Sequence, residues 1–329
     1  MKRARTGILG LGAYVPERVM RNSEWAAWVD TTDEWIRSRT GISTRRIADP
    51  AQSTVDLAEA AARRALEDAG LGVEGIDEII VATDTPEVFL PDTASYLQTR
   101  LGAREVPAFD MAGSGCAGFV FGLDVALSRA AAGDRRILLV GVELLTRIMD
   151  WRDRTTCVLF GDAAGAAVIG PGEPIAEVLA CTAGTDGSRS SILCLETGGT
   201  RRPVTEEAVR RGEHQEIVMN GREVFKEAVN RMSTASRRVL GEAGVEVGDL
   251  ALVIPHQANL RIIKAVQKNL GVDDETMFVN VQHYGNTGSA SVPLALWEAR
   301  AQGRIKRGDL VLLTAFGAGF HWAAALLRF

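Results

Sequence analysis

Residues 106–133, VPAFDMAGSGCAGFVFGLDVALSRAAAG, join a strand-like run, a glycine-rich turn and a helical pattern. The apolar run 106–111 leads into Gly113-Ser114-Gly115, and from Cys116 onward apolar residues recur at spacings of three and four, which predicts a helix. A cysteine at the first turn of a buried helix lies among unpaired N–H groups and the positive end of the helix dipole. That setting favours the thiolate, the nucleophilic form. The stretch alone leaves open the alternative that Cys116 is a small buried apolar residue.

The composition describes a globular chain with a large core. The 329 residues are 46% hydrophobic and 24% charged, and the net charge of −5 argues against nucleic acid as the main partner. The cysteines are scattered without metal-binding spacing, which predicts free thiols, no metal and a cytoplasmic location. No apolar stretch is long enough to span a bilayer, so we expect no membrane partner.

Gly10-Leu11-Gly12 looks like the start of a dinucleotide-binding fingerprint. The third glycine is missing, however, because Val15 stands at its position and Pro16 follows at once. No helix can open there to receive a pyrophosphate. The segment is therefore predicted to be a first strand that runs into a loop.

The chain repeats its own pattern. A helical run that ends in Ala243-Gly244 lies 174 residues after one that ends in Ala69-Gly70, and each is followed by an apolar strand. Leu270-Gly271 likewise lies 169 residues after Leu101-Gly102. Near-constant offsets predict two copies of one α/β unit, each with a mixed sheet covered by helices. We place the boundary at the GPGEP segment, which gives an N-terminal half, 1–172, and a C-terminal half, 173–329.

The histidines are the candidate partners for Cys116. His256 directly follows an apolar strand, at the carboxyl end where α/β folds place their chemistry. His283 lies in a glycine-rich loop that also carries an asparagine, and His321 follows the glycine-rich AFGAG. His214 lies in a charged run and is most simply a solvated side chain.

Several motifs in this order resemble the signatures of one family. MAGSGCAGF, PHQANLRII, HYGNTGSASVP and AFGAGF are similar to those of ketoacyl synthase III, the 3-oxoacyl-[acyl-carrier-protein] synthase III family of the thiolase superfold. TTDEWIRSRTGI and EVFKEAV also resemble family segments, so the similarity covers nearly the whole chain. The resemblance implies an α/β, thiolase-like fold of two duplicated halves in a layered α-β-α-β-α arrangement. It also implies a homodimer.

The resemblance implies roles for individual residues. Cys116, His256 and Asn286 correspond to the catalytic triad, and the backbone N–H groups of Cys116 and Gly319 to the oxyanion hole. An indole among guanidinium groups suits a stacked adenine and a phosphate-bearing ligand, although surface arginines on a helix are the simpler explanation without the resemblance. The family's coenzyme A contacts fall on Trp35, Arg39, Thr40, Arg154 and Asn259. Phe89 and Leu90 fall where relatives line the acyl pocket from the dimer partner.

Basic residues at helical spacing mark a second candidate surface. Arg261, Lys264 and Lys268 share one predicted helical face, and Arg222 and Lys226 form another i, i+4 pair. Such stripes are usually solvated faces. On an acidic protein whose second substrate rides on an acidic carrier, the resemblance favours electrostatic docking of that carrier.

The implied reaction is a decarboxylative condensation. An acyl-CoA primer acylates Cys116, malonyl-acyl carrier protein loses CO2, and the enolate attacks the acyl group to give a 3-oxoacyl thioester and start fatty-acid synthesis. Coenzyme A is a substrate, so no cofactor is expected. Asn286 differs from the second histidine of elongating synthases, and residues 316–319 lack the second cysteine of thiolases. The alternatives are a condensing enzyme of a polyketide pathway that joins two carrier-bound chains, and an inactive acyl-binding scaffold. The sequence leaves the primer open.

Overall fold

Strands and helices alternate along the computed structural model, which describes residues 5–133 and 135–329. The strands are β1 (Arg5–Tyr14), β2 (Arg18–Arg21), β3 (Thr44–Ile47), β4 (Glu78–Ala82), β5 (Ala108–Met111), β6 (Ile137–Leu144), β7 (Asp162–Gly172), β8 (Ala176–Thr185), β9 (Leu193–Leu195), β10 (Ile217–Met219), β11 (Leu250–Pro255), β12 (Leu310–Gly317) and β13 (His321–Arg328). The helices are α1 (Asp33–Thr40), α2 (Thr54–Asp68), α3 (Thr93–Leu101), α4 (Gly118–Ala131), α5 (Glu206–Arg211), α6 (Gly221–Ala243), α7 (Leu260–Leu270), α8 (Val281–Tyr284) and α9 (Ser291–Ala301).

The two halves build their parts of the sheet with the same pairing pattern, from five strands in the first half and four in the second. In the first half the strand order is β5-β4-β6-β7-β1, with parallel pairing on both sides of β4 and antiparallel pairing on both sides of β7. In the second half β11 and β12 are parallel, and β13 pairs antiparallel with β12 and β8. The predicted mixed sheets are thus present. We keep the division after residue 172 as a proposal, which this repeated order supports; residues 1–4 lie outside the described part.

The two sheets are continuous, which the sequence pattern does not predict. Each half ends its sheet on its own first strand, β1 or β8. These edge strands pair antiparallel over a short stretch, with Gly7 opposite Glu177 and Ile8 opposite Ala176. One nine-stranded sheet results. Edge strands expose unpaired N–H and C=O groups. When β1 and β8 pair with each other, these groups form hydrogen bonds that neither half could form alone.

The helices form three layers. Helix α4 packs against β6 and β7 of the first half and β8 and β13 of the second, while α9 contacts β1 and β7 as well as β11 and β12. These two helices therefore lie between the part of the sheet from the first half and the part from the second half. Helix α2 covers β1, β6 and β7 on one outer side, and α6 covers β8, β12 and β13 on the other. The layered α-β-α-β-α arrangement is confirmed.

Small residues let α4 lie deep in this middle layer. Phe119, Leu123 and Ala126 are buried, as their spacing predicts. At Gly122 an added Cβ would come within 2.8 Å of the Leu139 side chain on β6. A larger residue there would have to displace the Leu139 side chain from this close packing. No helix within residues 5–133 and 135–329 is long and apolar enough to cross a membrane.

Candidate functional site

Cys116 lies in a tight turn between β5 and α4. The predicted helix begins at Gly118, two residues later than expected, because residues 115–117 form a short 3-10 turn. Gly115 has a φ of 58°, which favours glycine, and an added Cβ would lie 2.6 Å from the Ala318 nitrogen. At Gly317 an added Cβ would lie 2.3 Å from the Cys116 nitrogen. Glycines from both halves thus bring the AFGAG segment against the backbone of Cys116.

Asn286 presents its amide group to the Cys116 thiol. The Cys116 Sγ is 3.8 Å from both Oδ1 and Nδ2 of Asn286, and the asparagine is 8% exposed. The backbone N–H of Gly288 donates to Asn286 Oδ1 over 2.9 Å. Because Oδ1 already accepts this bond, Nδ2 is the group left to donate toward a ligand on Cys116.

His256 follows β11 directly and is 4% exposed. Its backbone N–H donates to the Thr314 carbonyl over 2.8 Å, which ties it to the neighbouring strand β12. Burial lowers the pKa of the imidazole to about 3. The ring is therefore neutral at pH 7 and has one N–H to donate.

These side chains share one cavity of about 830 Å³. Cys116, His256, Asn286 and Gly319 contribute to its lining together with Asp84, Asn259 and Arg261. The remaining wall is largely apolar, as expected of a pocket that holds an acyl chain. It includes Leu145, Ile148, Leu159, Phe160, Leu193, Ile217, Met219, Phe225, Met232 and Phe316.

Two carboxylic acids beside the thiol were not anticipated from the sequence. Glu143 on β6 is 1% exposed and accepts from the Thr85 hydroxyl (2.8 Å) and the Ser289 hydroxyl (2.9 Å). The backbone N–H of Asp84 also donates to Glu143 over 3.1 Å. Burial is the largest cause, and the negative charge of Asp84 the second, of a rise in the pKa of Glu143 to about 8. Burial also raises the pKa of Asp84, against hydrogen bonds from the N–H groups of Gly115 and Gly113.

Two features of the sequence could have predicted that Asp84 and Glu143 are buried acidic residues near a site. Glu143 interrupts the otherwise apolar strand ILLVGVEL, and a charged residue in such a strand needs buried partners. Asp84 follows the carboxyl end of β4, the same position that singled out His256 on β11. Neither residue lies near Cys116 in sequence, so their proximity to it depends on the sheet.

The environment of Cys116 overturns one prediction. The pKa of the Cys116 thiol is raised to about 12, mainly by burial and then by the negative charges of Asp84 and Glu143. The hydrogen bond with the Asn286 side chain acts in the opposite direction. The expectation that the helix dipole favours the thiolate is therefore wrong for the protein without substrate. Desolvation of a thiolate outweighs the partial charge of one helix end.

Alkylation of Cys116 should report this raised pKa. We expect iodoacetamide labelling to rise about tenfold per pH unit between pH 7 and pH 10, because the thiolate fraction keeps growing below the pKa. Asp84→Asn removes one negative charge and should speed labelling at pH 8. The measurement is peptide mapping of carboxamidomethyl-Cys116 against time.

Asp124→Asn is the matched control, because that half-buried carboxylate lies beside Cys181 instead. A labelling rate that levels off near pH 9 in the native protein, as for an ordinary cysteine, would contradict the raised pKa.

The predicted coenzyme A residues gather at α1, and all of them except Thr40 are exposed or half-buried. The Arg154 guanidinium lies over the Trp35 ring, 5.0 Å from its centroid, and donates to the Asp30 carbonyl over 2.7 Å. Asn259 caps α7 by accepting from the Arg261 N–H (2.9 Å) and donates to the Arg39 carbonyl over 3.3 Å. An adenine between the Trp35 ring and Arg154 requires Arg154 to move outward, since the two already touch.

Thr40 is the exception. It is 3% exposed, its hydroxyl donates to the Ile36 carbonyl (2.6 Å) and it accepts from the Ile42 N–H (3.0 Å). Its side chain thus closes the end of α1 and does not face the surface that carries Trp35. The contact of Thr40 with coenzyme A stays a prediction, and its hydroxyl is already hydrogen-bonded within the end of α1.

The basic residues of the second candidate surface are all exposed, and two of them reach the cavity. Arg222 and Arg261 line the cavity itself, and neither side chain forms an ion pair within the described residues. Lys264 and Lys268 follow Arg261 on the exposed face of α7, as predicted, but Lys264 pairs with Asp274. Lys226 is exposed on α6.

Phe89 and Leu90 lie on the loop between β4 and α3, and each is 86% exposed. Of the other histidines, His283 is exposed on α8, and His321 Nδ1 is 2.8 Å from the Thr185 hydroxyl. Within residues 5–133 and 135–329, no group of three or more histidine, cysteine or acidic side chains is placed to hold a metal ion.

Comparisons with known proteins identify the family of this chain. The family profile "3-Oxoacyl-[acyl-carrier-protein (ACP)] synthase III" matches residues 109–187, and the profile of its C-terminal part matches residues 240–329. A β-ketoacyl-[acyl-carrier-protein] synthase III of Roseiflexus sp. (strain RS-1) is 48% identical over 322 residues, covering 98% of this chain and 97% of that protein.

Solved structures give the same result. The crystal structure of 3-oxoacyl-[acyl-carrier-protein] synthase III from Aquifex aeolicus VF5 has a TM-score of 0.90 at 44% identity, covering 98% of this chain and 100% of that one. The priming β-ketosynthase from the R1128 polyketide biosynthetic pathway has a TM-score of 0.90 at 38% identity, covering 99% and 97%. The predicted thiolase-like fold is thereby confirmed. The chain belongs to the 3-oxoacyl-[acyl-carrier-protein] synthase III family of condensing acyltransferases.

Proposed function

We propose that Cys116, His256 and Asn286 carry out a decarboxylative condensation of an acyl-CoA primer with malonyl-acyl carrier protein. The single observation that carries the proposal is that a thiol and two neutral donors converge on one apolar cavity. The product is a 3-oxoacyl thioester on the carrier, which begins fatty-acid synthesis.

The first half-reaction forms an acyl-enzyme. The Cys116 sulfur attacks the thioester carbonyl, its proton leaves, and the carbon–sulfur bond to coenzyme A breaks as the released thiolate takes up a proton. The backbone N–H groups of Cys116 and Gly319 are our candidates to bind the tetrahedral oxyanion. Gly319 lines the cavity on the wall where Gly317 approaches the Cys116 backbone.

The second half-reaction develops negative charge on the malonyl thioester oxygen as CO2 leaves. The Asn286 amide and the neutral His256 ring are our candidates to donate to this oxygen. Preorganised donors that bind the enolate more strongly than the ground state lower the barrier. The enolate carbon then forms a bond to the acyl carbon, and the Cys116 thiolate is expelled and reprotonated.

The direct test is intact-mass analysis after exposure to a panel of acyl-CoA thioesters, followed by malonyl-acyl carrier protein. We expect a covalent acyl adduct that disappears as a 3-oxoacyl carrier forms. A protein that acquires no adduct from any primer and releases no CO2 would refute the proposal.

Trp35 is proposed to stack on the adenine of coenzyme A. Stacking a base on an aromatic ring contributes about 1–3 kcal/mol. Trp35→Ala should therefore raise the KM for acyl-CoA by at least about fivefold in an acylation assay. Trp28→Ala is the matched control, because Trp28 is 45% exposed and packs on Trp25 and Trp151.

An unchanged KM in Trp35→Ala would favour the runner-up function, in which both substrates arrive on carriers in a polyketide pathway. The similarity to a polyketide priming ketosynthase motivates that alternative. The Trp35 and Arg154 pair favours a coenzyme A primer.

Arg222 and Arg261 are proposed to receive the acidic carrier protein, with Lys226, Lys264 and Lys268 around them. Arg222→Glu combined with Arg261→Glu should raise the KM for malonyl-acyl carrier protein about tenfold or more and spare acylation by acyl-CoA. Reversing two exposed charges at an interface changes association and its salt dependence most. The measurement is the KM at low and at physiological ionic strength.

Arg307→Glu is the control, because this exposed arginine precedes β12 at the end opposite Gly317. Equal loss in both half-reactions would mean that the two arginines serve the coenzyme A site or the fold instead.

We further propose that the chain is cytoplasmic, uses no bound cofactor or metal, and forms a homodimer through the loop that carries Phe89 and Leu90. Side chains this exposed and apolar are suited to cover the acyl cavity of a second copy. The chain length of the primer depends on that contact.

A further inference from the structure

The structure assigns a positioning role to Ser291, the first residue of α9. We propose that its hydroxyl holds His256 in the tautomer that carries its proton on Nε2. The kinetic consequence of this role rests on the proposed function, whereas the tautomer itself does not.

The contacts of Ser291 define the direction of its hydrogen bonds. His256 Nδ1 lies 2.5 Å from Ser291 Oγ, and the backbone N–H of Gln257 donates to the same oxygen over 3.2 Å. Ser291 is 2% exposed and His256 is 4% exposed. Both bonds therefore form away from bulk water.

Only one tautomer gives every group a partner. A backbone N–H can only donate, so Ser291 Oγ accepts from Gln257. If His256 Nδ1 also carried a proton, Oγ would accept twice, and the hydroxyl hydrogen would have no acceptor within the described residues. With Nδ1 unprotonated, the Ser291 hydroxyl donates to it. The single ring proton then lies on Nε2, and burial keeps the ring neutral.

The surroundings keep this geometry rigid. The Gln257 side chain donates to the Pro255 carbonyl (2.8 Å) and accepts from the N–H groups of Asn280 (2.9 Å) and Val281 (3.2 Å). The residues on both sides of the histidine are thus fixed. Ser291 also belongs to the segment that carries Asn286, so one short stretch orients both proposed donors.

Nitrogen NMR of the native protein tests the tautomer. In protein labelled with ¹⁵N-histidine, His256 should show a protonated Nε2 and an unprotonated Nδ1 at pH 7, with the signals assigned by their loss in His256→Ala. A protonated Nδ1 in the native protein would overturn the proposal, and this measurement depends on no serine variant and no activity.

Kinetics test the consequence. In Ser291→Ala the rate of CO2 release from malonyl-acyl carrier protein should fall roughly tenfold, a typical loss when the partner that orients a functional histidine is removed. Acylation of Cys116 should change less, and Ser291→Thr, which keeps a hydroxyl, should restore most of the rate. Ser236→Ala is the matched control, since that buried hydroxyl has no hydrogen-bond partner in the described part of the chain.

The outcomes separate the two proposals. Equal losses in the Ala and Thr variants would show that the volume at this position matters and not its hydroxyl, which contradicts the positioning role. Native protein that releases no CO2 contradicts the proposed function, while its NMR spectrum still decides the tautomer.

Discussion

Cys116→Ala should form no acyl-enzyme with any acyl-CoA and should lose condensation entirely. The sulfur is the atom that bonds to the primer, and an alanine leaves no nucleophile at the bottom of the cavity. The donors Asn286 and His256 remain, so this variant should still bind malonyl-acyl carrier protein and release CO2. We therefore expect the two half-reactions to separate completely, with intact-mass analysis for the first and trapped CO2 for the second.

Cys194→Ala provides the control, because this thiol also lines the cavity but lies on β9, in a separate two-stranded sheet with β10. That variant should acylate normally. An acyl group that persists on Cys116→Ala would show that another residue is the nucleophile. Loss of CO2 release in Cys116→Ala would show that the thiol itself helps to build the donor geometry.

The resemblance predicted Cys116, His256 and Asn286, and each of them also stands at a local sequence signal. The structure brings the three to one cavity, and their catalytic roles stay a proposal. Cys116 follows a glycine-rich turn, His256 follows the end of an apolar strand, and Asn286 lies in a glycine-rich loop before a helix. Each signal lies within about ten residues of the functional group. The duplicated α/β halves were predictable in the same way, because strands and helices leave regular periods in the chain.

The protonation state of the nucleophile was not predictable from local sequence. The dipole argument for Cys116 used only neighbouring residues, whereas the charges that oppose it come from Asp84 and Glu143. These residues reach the thiol because β4 and β6 are neighbours in the sheet. Desolvation depends on the same tertiary packing. A pKa sums over all of these contributions, so the sequence gives at most its local part.

Thr40 and Arg154 show the same dependence on packing at the proposed coenzyme A surface. Arg154 is 119 residues from Trp35 in sequence, yet its guanidinium stacks on that indole. Thr40 is only five residues from Trp35, yet it points into the end of α1. Distance along the chain therefore does not indicate which side chains share a surface with Trp35. A helix turns its residues to different faces, and only the packing of α1 decides which face is exposed.

The raised pKa of Cys116 and the lowered pKa of His256 also indicate whether His256 acts as a base or as a hydrogen-bond donor. A histidine with a pKa of about 3 is a weak base, and a thiol with a pKa of about 12 is a weak acid. Proton transfer between them in the free protein is strongly uphill. A neutral ring can still donate one hydrogen bond at no such cost. The donor role of His256 is therefore favoured over the role of base.

His256→Ala should accordingly damage decarboxylation more than acylation. The enolate oxygen would keep only the Asn286 donor, and losing one preorganised donor costs on the order of 10²–10³ in rate. Cysteine is intrinsically nucleophilic, and the released coenzyme A sulfur can accept the proton, so acylation should fall by about tenfold or less. Both half-reactions are measured on one preparation, with CO2 release followed on enzyme that already carries its acyl group.

His283→Ala is the matched control, because it removes an exposed imidazole that does not line the cavity. It should leave both half-reactions at the native rate. The opposite order in His256→Ala, with acylation lost and CO2 release retained, would make His256 the base for Cys116. A base must be able to hold the thiol proton, so that outcome would also require the pKa values of the two groups to approach each other once substrate has bound. A pH titration of the His256 ring nitrogens by NMR, with a non-hydrolysable coenzyme A thioether bound, would then show that shift, whereas a donor role predicts none.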